Sequence, residues 1–411
     1  MRVEVLNTGT ELLLGSVLNT HLRLLSDALF PLGLRIQRQV TVPDGPAIGE
    51  ALAETHGRAD LVFITGGLGP TTDDITREAV AEWLGVEMIR DESVVRAIEE
   101  RFARRQLKIS PRNLRQADRP QAATVLVNPH GTAPGLYLPP SPVPGSSGSS
   151  PHLFLLPGPP RELAPMLHDA VLPILHRIAP PRGDVGMRVL RLVGIGESHV
   201  EERVGEPLLA LGLELGYCAR PSEVDVRLIG TAGQLARGDA IVRAAFAAEL
   251  VSDDGRSLEE VVVDELTAHG QTLATAESCT GGALANRITN VPGASRIFLG
   301  GFVTYANEAK TRDVGVDPAL LAAHGAVSEP VARAMAEGAR LRTGATFAVS
   351  TTGIAGPDGG TAEKPVGTVF IALAANDAPT LVGKHFFPRD RETFKRFVVQ
   401  TALQTLLRTR R

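Results

Sequence analysis

LVFITGGLGPTTDDITREAVAEW, residues 61–83, reads as a buried strand, a glycine turn and a helix in immediate succession. Leu61 to Thr65, four apolar residues and a threonine, is closed by glycines, which suits a strand covered on both faces. The chain upstream repeats the arrangement. Val3 to Leu6 reads as a strand, Leu22, Leu25 and Leu29 as a helix face, and Arg35 to Val40 as a second strand. Asp44 then stands where an N-cap would open a helix reaching about Arg58. The order βαβαβ predicts an α/β fold with a doubly wound, mostly parallel sheet.

Loops after the strands of such a sheet converge on one crevice at its carboxyl edge. Here they bring together Thr8, Gly9, Glu11, Asp44, Gly66, Gly67, Gly69, Asp73 and Asp74. A glycine loop before a helix suits phosphate, and the carboxylates suit a hard divalent cation. The plainer reading is that Asp44 and Asp73 or Asp74 only cap helices.

A length of 411 residues exceeds one compact core. Three domains are expected: 1–168, a small α+β unit at 169–250, and 251–411. The Pro/Gly/Ser-rich stretch 139–152 reads as a loop inside the first domain, between the strands GLYL and HLFLLP. In the middle unit Met187 to Val193 and Glu223 to Ile229 read as strands, with helices near Ser198 to Val204 and Leu235 to Leu250. Ser257 and Glu260 form a capping box that opens the third domain. Phe394, Val398, Ala402 and Leu406 mark a closing helix. A formal charge of -4 provides no field to gather nucleic acid, and aromatic residues at 4% provide few stacking platforms. Two cysteines make neither a disulfide framework nor a zinc set. With no signal-peptide pattern and no long apolar run, a cytoplasmic protein without a membrane partner is expected.

In the third domain TLATAESCTGGALANRI (272–288) places a strand before two glycines and a helix. Ser278 and Cys279 are two candidate nucleophiles there, and Gly281 and Gly282 are expected to leave helical N–H groups open to developing negative charge. The next strand, GGFVTY, leads to Lys310, the simplest base where neither motif holds a histidine. STTGIAGPDGG (350–360) adds hydroxyls and glycines, and the basic run RDRETFK (389–395) suits a phosphate. Taken singly, Ser278 reads as a helix cap, Cys279 as a small buried side chain, and Lys310 and Arg391 as surface charges.

Together TAESCTGG, GGFVTYANEAK, TTGIAGPDGG and the final RDRETFK resemble the CinA (competence/damage-inducible protein) family. Its C-terminal domain is the nicotinamide mononucleotide deamidase. The resemblance implies Ser278 as nucleophile, Lys310 as its base and Tyr305 as an orienting or proton-relaying helper, with no cofactor. It implies an oxyanion hole at Thr280, Gly281 and Gly282, a nucleotide pocket at Asn307, Thr352, Gly353 and Gly356, and phosphate on Arg391. Arg389 replaces the family's usual glycine.

GTELLLGSVLNT, TGGLGPTTDDIT, NPHGTAPGL and LPGPPREL resemble the family's N-terminal half, which is similar to the MoaB/MogA molybdopterin-binding fold. That half implies ADP-ribose pyrophosphatase activity with a divalent metal and potassium, Asp44 and Asp74 matching the acidic positions of the ligand site. His21 stands where asparagine is usual. GIGESHVEERV and YCARPSEVDVRL resemble the family's KH-type middle domain, but GIGE is not the clamp loop of a nucleic-acid-binding KH unit, leaving a spacer or dimer element. A homodimer follows by the same resemblance. Two rival readings are an accessory protein of competence or DNA repair that works by binding, and a molybdopterin-binding protein.

Overall fold

The computed structural model describes residues 1–180, 185–376 and 378–410. The chain forms two compact units, 1–183 and 184–411.

In the first unit the strands are β1 (Val3–Thr8), β2 (Ile36–Val42), β3 (Leu61–Thr65), β4 (Met88–Arg90), β5 (Asp118–Pro120), β6 (Thr124–Leu126), β7 (Gly135–Leu138) and β8 (His152–Leu156). The main sheet runs β2-β1-β3-β8-β7-β6, while β4 and β5 pair separately. β2, β1, β3 and β8 are parallel. β7 and β6 are antiparallel, so the sheet is mixed. The loop 139–151 contains no helix, and a connection without a crossover element returns the chain antiparallel.

Alternation along the strands divides the core into two faces. Val3, Val5, Phe63 and Phe154 meet Leu25, Leu29, Leu163 and Leu175 on one side. Leu6, Val62, Ile64 and Leu155 meet Ile48, Leu52, Val80 and Leu84 on the other. The sheet is therefore wound with helices on both faces, as the sequence pattern predicts. Residues Leu167 to Leu175, assigned by composition mostly to the middle domain, pack on this first sheet.

Two local expectations are corrected. Leu22 is 38% exposed, and His21 joins Leu25 and Leu29 on the buried face instead. Asp44 does not cap the helix that follows it: that helix is Ala47–Thr55, and Pro46 stands at its N-cap. Gly45 and Pro46 turn the chain first, and the Asp44 carboxylate accepts from Thr10 N at 3.0 Å.

The second unit contains β9 (Val185–Val193), β10 (Glu214–Arg220), β11 (Glu223–Thr231), β12 (Leu250–Ser252), β13 (Leu273–Glu277), β14 (Phe298–Val303), β15 (Phe347–Gly353), β16 (Thr368–Ala375) and β17 (Leu381–Phe386). A small antiparallel sheet, β10-β11-β9-β12, carries the helices Glu197–Ala210 and Ala232–Ala245 on Leu190, Val226 and Leu228. The second helix ends at Ala245, and Leu250, expected to be helical, begins a strand. The larger sheet is β14-β13-β15-β16-β17, parallel over the first three strands and antiparallel beyond. Its alanine face, with Ala274, Ala276 and Ala348, receives Met335 and Ala339 of the helix Glu329–Thr343. The opposite face receives helices Leu258–Ala268, Ala283–Thr289 and Arg391–Arg410, the last through Phe394, Val398, Ala402 and Leu406. The Ser257 and Glu260 capping box is present. Val193 and Val251 join this same core, and Gln400 Nε2 donates to Glu223 Oε1 at 2.6 Å. Apolar contact and a buried hydrogen bond thus join the small sheet to the larger one.

Candidate functional site

β13 lies between β14 and β15, and the three parallel strands end side by side. Ser278 follows β13, Thr304 and Tyr305 follow β14, and Gly353 ends β15. Backbone bonds fasten these ends: Ser278 N donates to Thr351 O at 2.9 Å, and Thr304 N to Glu277 O at 2.8 Å.

Lys310 belongs to the short helix Asn307–Val314 and is 1% exposed. Its Nζ lies 2.9 Å from Thr304 O, 3.4 Å from Tyr305 O and 3.3 Å from Ser278 Oγ. Burial pushes its pKa below the ordinary 10.5, against the smaller opposing influences of Cys279 and Glu308. A neutral amine has two hydrogens and one lone pair. In that form the two carbonyls would accept the hydrogens and leave the lone pair for the Ser278 hydroxyl. Ser278 and Lys310 therefore stand within hydrogen-bond distance, in a geometry that suits a nucleophile and its base, and Cys279 is next to Ser278 in the chain. Its thiol is buried, and burial pushes its pKa up to about 12.

The glycine turn differs from expectation. The Glu277 carboxylate, 0% exposed, accepts from Gly282 N at 3.0 Å, Leu284 N at 3.0 Å and Ala285 N at 2.8 Å. Gly281 N donates to Ser278 O at 3.1 Å. The amides of Gly281 and Gly282, read as open, are thus closed by the protein itself. Among the described residues the Thr280 amide has no such acceptor, while the Thr280 hydroxyl pairs with that of Thr351 at 2.7 Å. Glu277 was missed because a carboxylate at a strand end reads as surface charge. Glu277→Ala leaves three helix-start amides without their charged acceptor and should destabilise the protein by about 3 kcal/mol. Urea unfolding checks this; an unchanged midpoint would remove Glu277 from the account.

Tyr305 is 59% exposed, and its hydroxyl meets Arg391 Nη2 at 2.7 Å rather than Ser278 or Lys310. Arg391 Nη1 donates to Gly356 O at 2.8 Å, so this arginine joins the β14 end to the glycine loop. Thr352 is buried and donates to Ala326 O at 2.8 Å. Asn307 is exposed at the start of its helix.

In the first unit, Thr8, Gly9, Glu11, Asp44, Gly66, Gly67, Gly69, Asp73 and Asp74 all line one crevice of about 490 Å³. Gly66 has a φ of 101°, and a β-carbon there would stand 2.4 Å from Thr8 O, a contact that only glycine avoids. Three neighbours were not read from the sequence as part of the site. Arg77, 1% exposed, donates to Leu68 O and Gly69 O, both at 3.2 Å, and holds the glycine loop. His21 Nε2 donates to Gly158 O at 2.6 Å, and its Nδ1 meets Thr65 Oγ1 at 2.8 Å. Burial lowers the His21 pKa, against the smaller opposing influences of the Gly158 hydrogen bond and the Glu11 charge. Asn128 Nδ2 donates to Glu162 Oε2 at 2.8 Å, joining the motifs NPHGTAPGL and LPGPPREL.

Asp44 Oδ2 accepts from Thr10, and Asp74 Oδ2 from Thr71; among the described residues neither Oδ1 has a hydrogen-bond donor. Among the described residues no three His, Cys, Asp or Glu side chains gather as a metal site. The donor set fits a hard cation held by one or two carboxylates, with phosphate and water completing the shell.

No helix among the described residues is long and apolar enough to cross a membrane. Residues 255–410 match the family described as "CinA C-terminal domain". Residues 4–177 match "Probable molybdopterin binding domain", and 187–248 match "Damage-inducible protein CinA KH domain". A CinA-like protein of Akkermansia muciniphila is 50% identical over 413 residues, covering 100% of this chain and 98% of its own. A CinA-like protein of an Anaeromyxobacter species is 41% identical, covering 99% and 98%. The crystal structure of competence/damage inducible protein CihA from Agrobacterium tumefaciens is 42% identical over 36% of this chain and 92% of that one, with a TM-score of 0.36.

Proposed function

The chain belongs to the CinA family, and on that premise we propose that its C-terminal domain hydrolyses the amide of nicotinamide mononucleotide to nicotinic acid mononucleotide and ammonia. The observation that carries this reading is the buried Lys310 amine 3.3 Å from the Ser278 hydroxyl. Ser278 Oγ attacks the amide carbon while Lys310 Nζ takes its proton. The Thr280 amide is the candidate donor to the oxyanion. Lys310 passes the proton to the leaving nitrogen, ammonia departs and an ester remains on Ser278. Water, deprotonated by Lys310, then breaks the ester and restores the serine. The test is chromatographic: nicotinic acid mononucleotide and ammonia should appear in equal amounts. Loss of substrate to any other product would exclude this reaction.

A second activity, cleavage of the ADP-ribose pyrophosphate, is proposed for the N-terminal crevice, supported by its glycine loop and carboxylates. A divalent cation held by Asp44 and Asp74, with potassium, would neutralise the phosphates. Asp74→Asn should then lower ADP-ribose cleavage about 10- to 100-fold and leave deamidation unchanged. Parallel loss of both activities would contradict two independent sites. The rival molybdopterin reading requires the wild-type protein to bind molybdopterin more tightly than ADP-ribose.

A further inference from the structure

A second cavity of the first unit lies between the helix Glu92–Arg104 and residues 125–134. Its volume of about 520 Å³ is that of an ordinary small-molecule pocket. Val94, Ala97 and Ile98 of the helix face Val125 and Val127 across it, and Val127 is 74% exposed, so aliphatic surface lies open there. Helix phase carries Arg101 and Arg104 onto the same face, and Arg105 follows at the helix end. The cavity shares one lining residue, Thr132, with the glycine-loop crevice, and the two differ in charge. The crevice collects Glu11, Asp44, Asp73, Asp74 and Glu162, whereas the cavity lining has three arginines and no carboxylate. Arg101 Nη1 donates to Pro129 O at 2.8 Å, which fixes the guanidinium at the cavity wall. Its Nε is shielded from solvent and has no acceptor, so most donors of this fork are unused. Arg104 Nε reaches only the backbone oxygen of Glu100, at 3.4 Å. Among the described residues no carboxylate forms an ion pair with any of the three.

We propose that this cavity is a binding site for an aliphatic anion, a hydrocarbon chain ending in a carboxylate or a phosphate. The chain lies on the valine and isoleucine walls, and the head group meets Arg101 and Arg104, whose planar forks match either kind of anion. The lining has no aromatic ring, so a nucleobase finds no stacking partner there. The arginines carry their charge without a metal ion, so the site takes its anion unaided, unlike the acidic crevice beside it. It stands independently of both proposed reactions.

Calorimetry on the full-length protein tests this with three probes of equal chain length: octanoate, octyl phosphate and uncharged octanol. At least one of the two anions should bind at a single site per chain, and the tighter of them identifies the head group. Octanol should bind about tenfold more weakly or worse. The double replacement Arg101→Met, Arg104→Met should weaken anion binding about thirtyfold and leave octanol binding unchanged. Ala97→Phe, at an exposed helix position, fills the cavity and should remove binding of all three probes while the protein still melts cooperatively. Excess ADP-ribose should displace neither anion. The proposal is overturned if neither anion binds saturably to the wild type, or if octanol binds as tightly as the anions. Unchanged anion affinity in either variant, or displacement by ADP-ribose, which would place the probe in the crevice, overturns it as well.

Discussion

Replacing Lys310 with methionine is expected to lower ammonia release from nicotinamide mononucleotide about 10³-fold or more, because the serine loses its base. Methionine keeps an unbranched apolar stem in a position that is 1% exposed. It leaves Thr304 O and Tyr305 O without their donor but also removes an amine whose burial disfavours its charged form. The two effects oppose each other, and the melting temperature should stay within about 5 °C of wild type near neutral pH. The pH dependence has a definite sign. The folded-state pKa of Lys310 is lowered, so below 10.5 the unfolded chain binds more protons than the folded one. Wild-type stability relative to Lys310→Met should therefore rise as pH climbs from the folded pKa towards 10.5, and be lost as pH falls back through it. Thermal melts of both proteins across that window check the burial, and the ammonia assay checks the chemistry. A Lys310→Met protein that folds and turns over normally would leave Ser278 without an assigned base.

Ser278→Ala and Cys279→Ala should separate just as clearly. The first removes the attacking oxygen and should cost about 10⁴-fold or more in kcat. The second removes a buried thiol from the core shared with Leu284 and Phe394. It should leave kcat within about tenfold while lowering stability by roughly 1 kcal/mol. The reason is the environment: a thiol with its pKa pushed up to about 12 holds almost no thiolate near neutral pH. Steady-state kinetics beside urea unfolding distinguish the two effects. If Cys279→Ala abolished turnover and Ser278→Ala kept it, the nucleophile would be the cysteine.

The sequence alone exposed much of this arrangement, because strand ends and glycine turns leave local marks. Leu61 to Ile64 is apolar throughout since helices cover both faces of β3, and the glycines after Thr65 show where the chain leaves the sheet. What it hid depends on three-dimensional closure. Glu277 reads as a surface charge until the turn folds back and delivers three amides to it. Asp44 has the right residue type for a cap, but Thr10, distant in sequence, reaches it first. Strand β10 escaped notice because it pairs only with β11 at the sheet edge, and its sequence ELGYCAR has no regular alternation. The basic run 389–395 was legible as a unit, yet helix phase determines that Arg391 and Lys395 share a face. Arg391 alone cannot reveal from sequence that its guanidinium bonds Tyr305 and Gly356.

The most direct test of a neutral-lysine amidase is the rate of ammonia release from nicotinamide mononucleotide by the wild-type protein, followed from about pH 6 to about pH 10. The account predicts release that rises with pH through a single ionisation lying below 10.5, as Lys310 loses its proton. No release at any pH from protein that melts cooperatively, or release that falls through that ionisation, would contradict it.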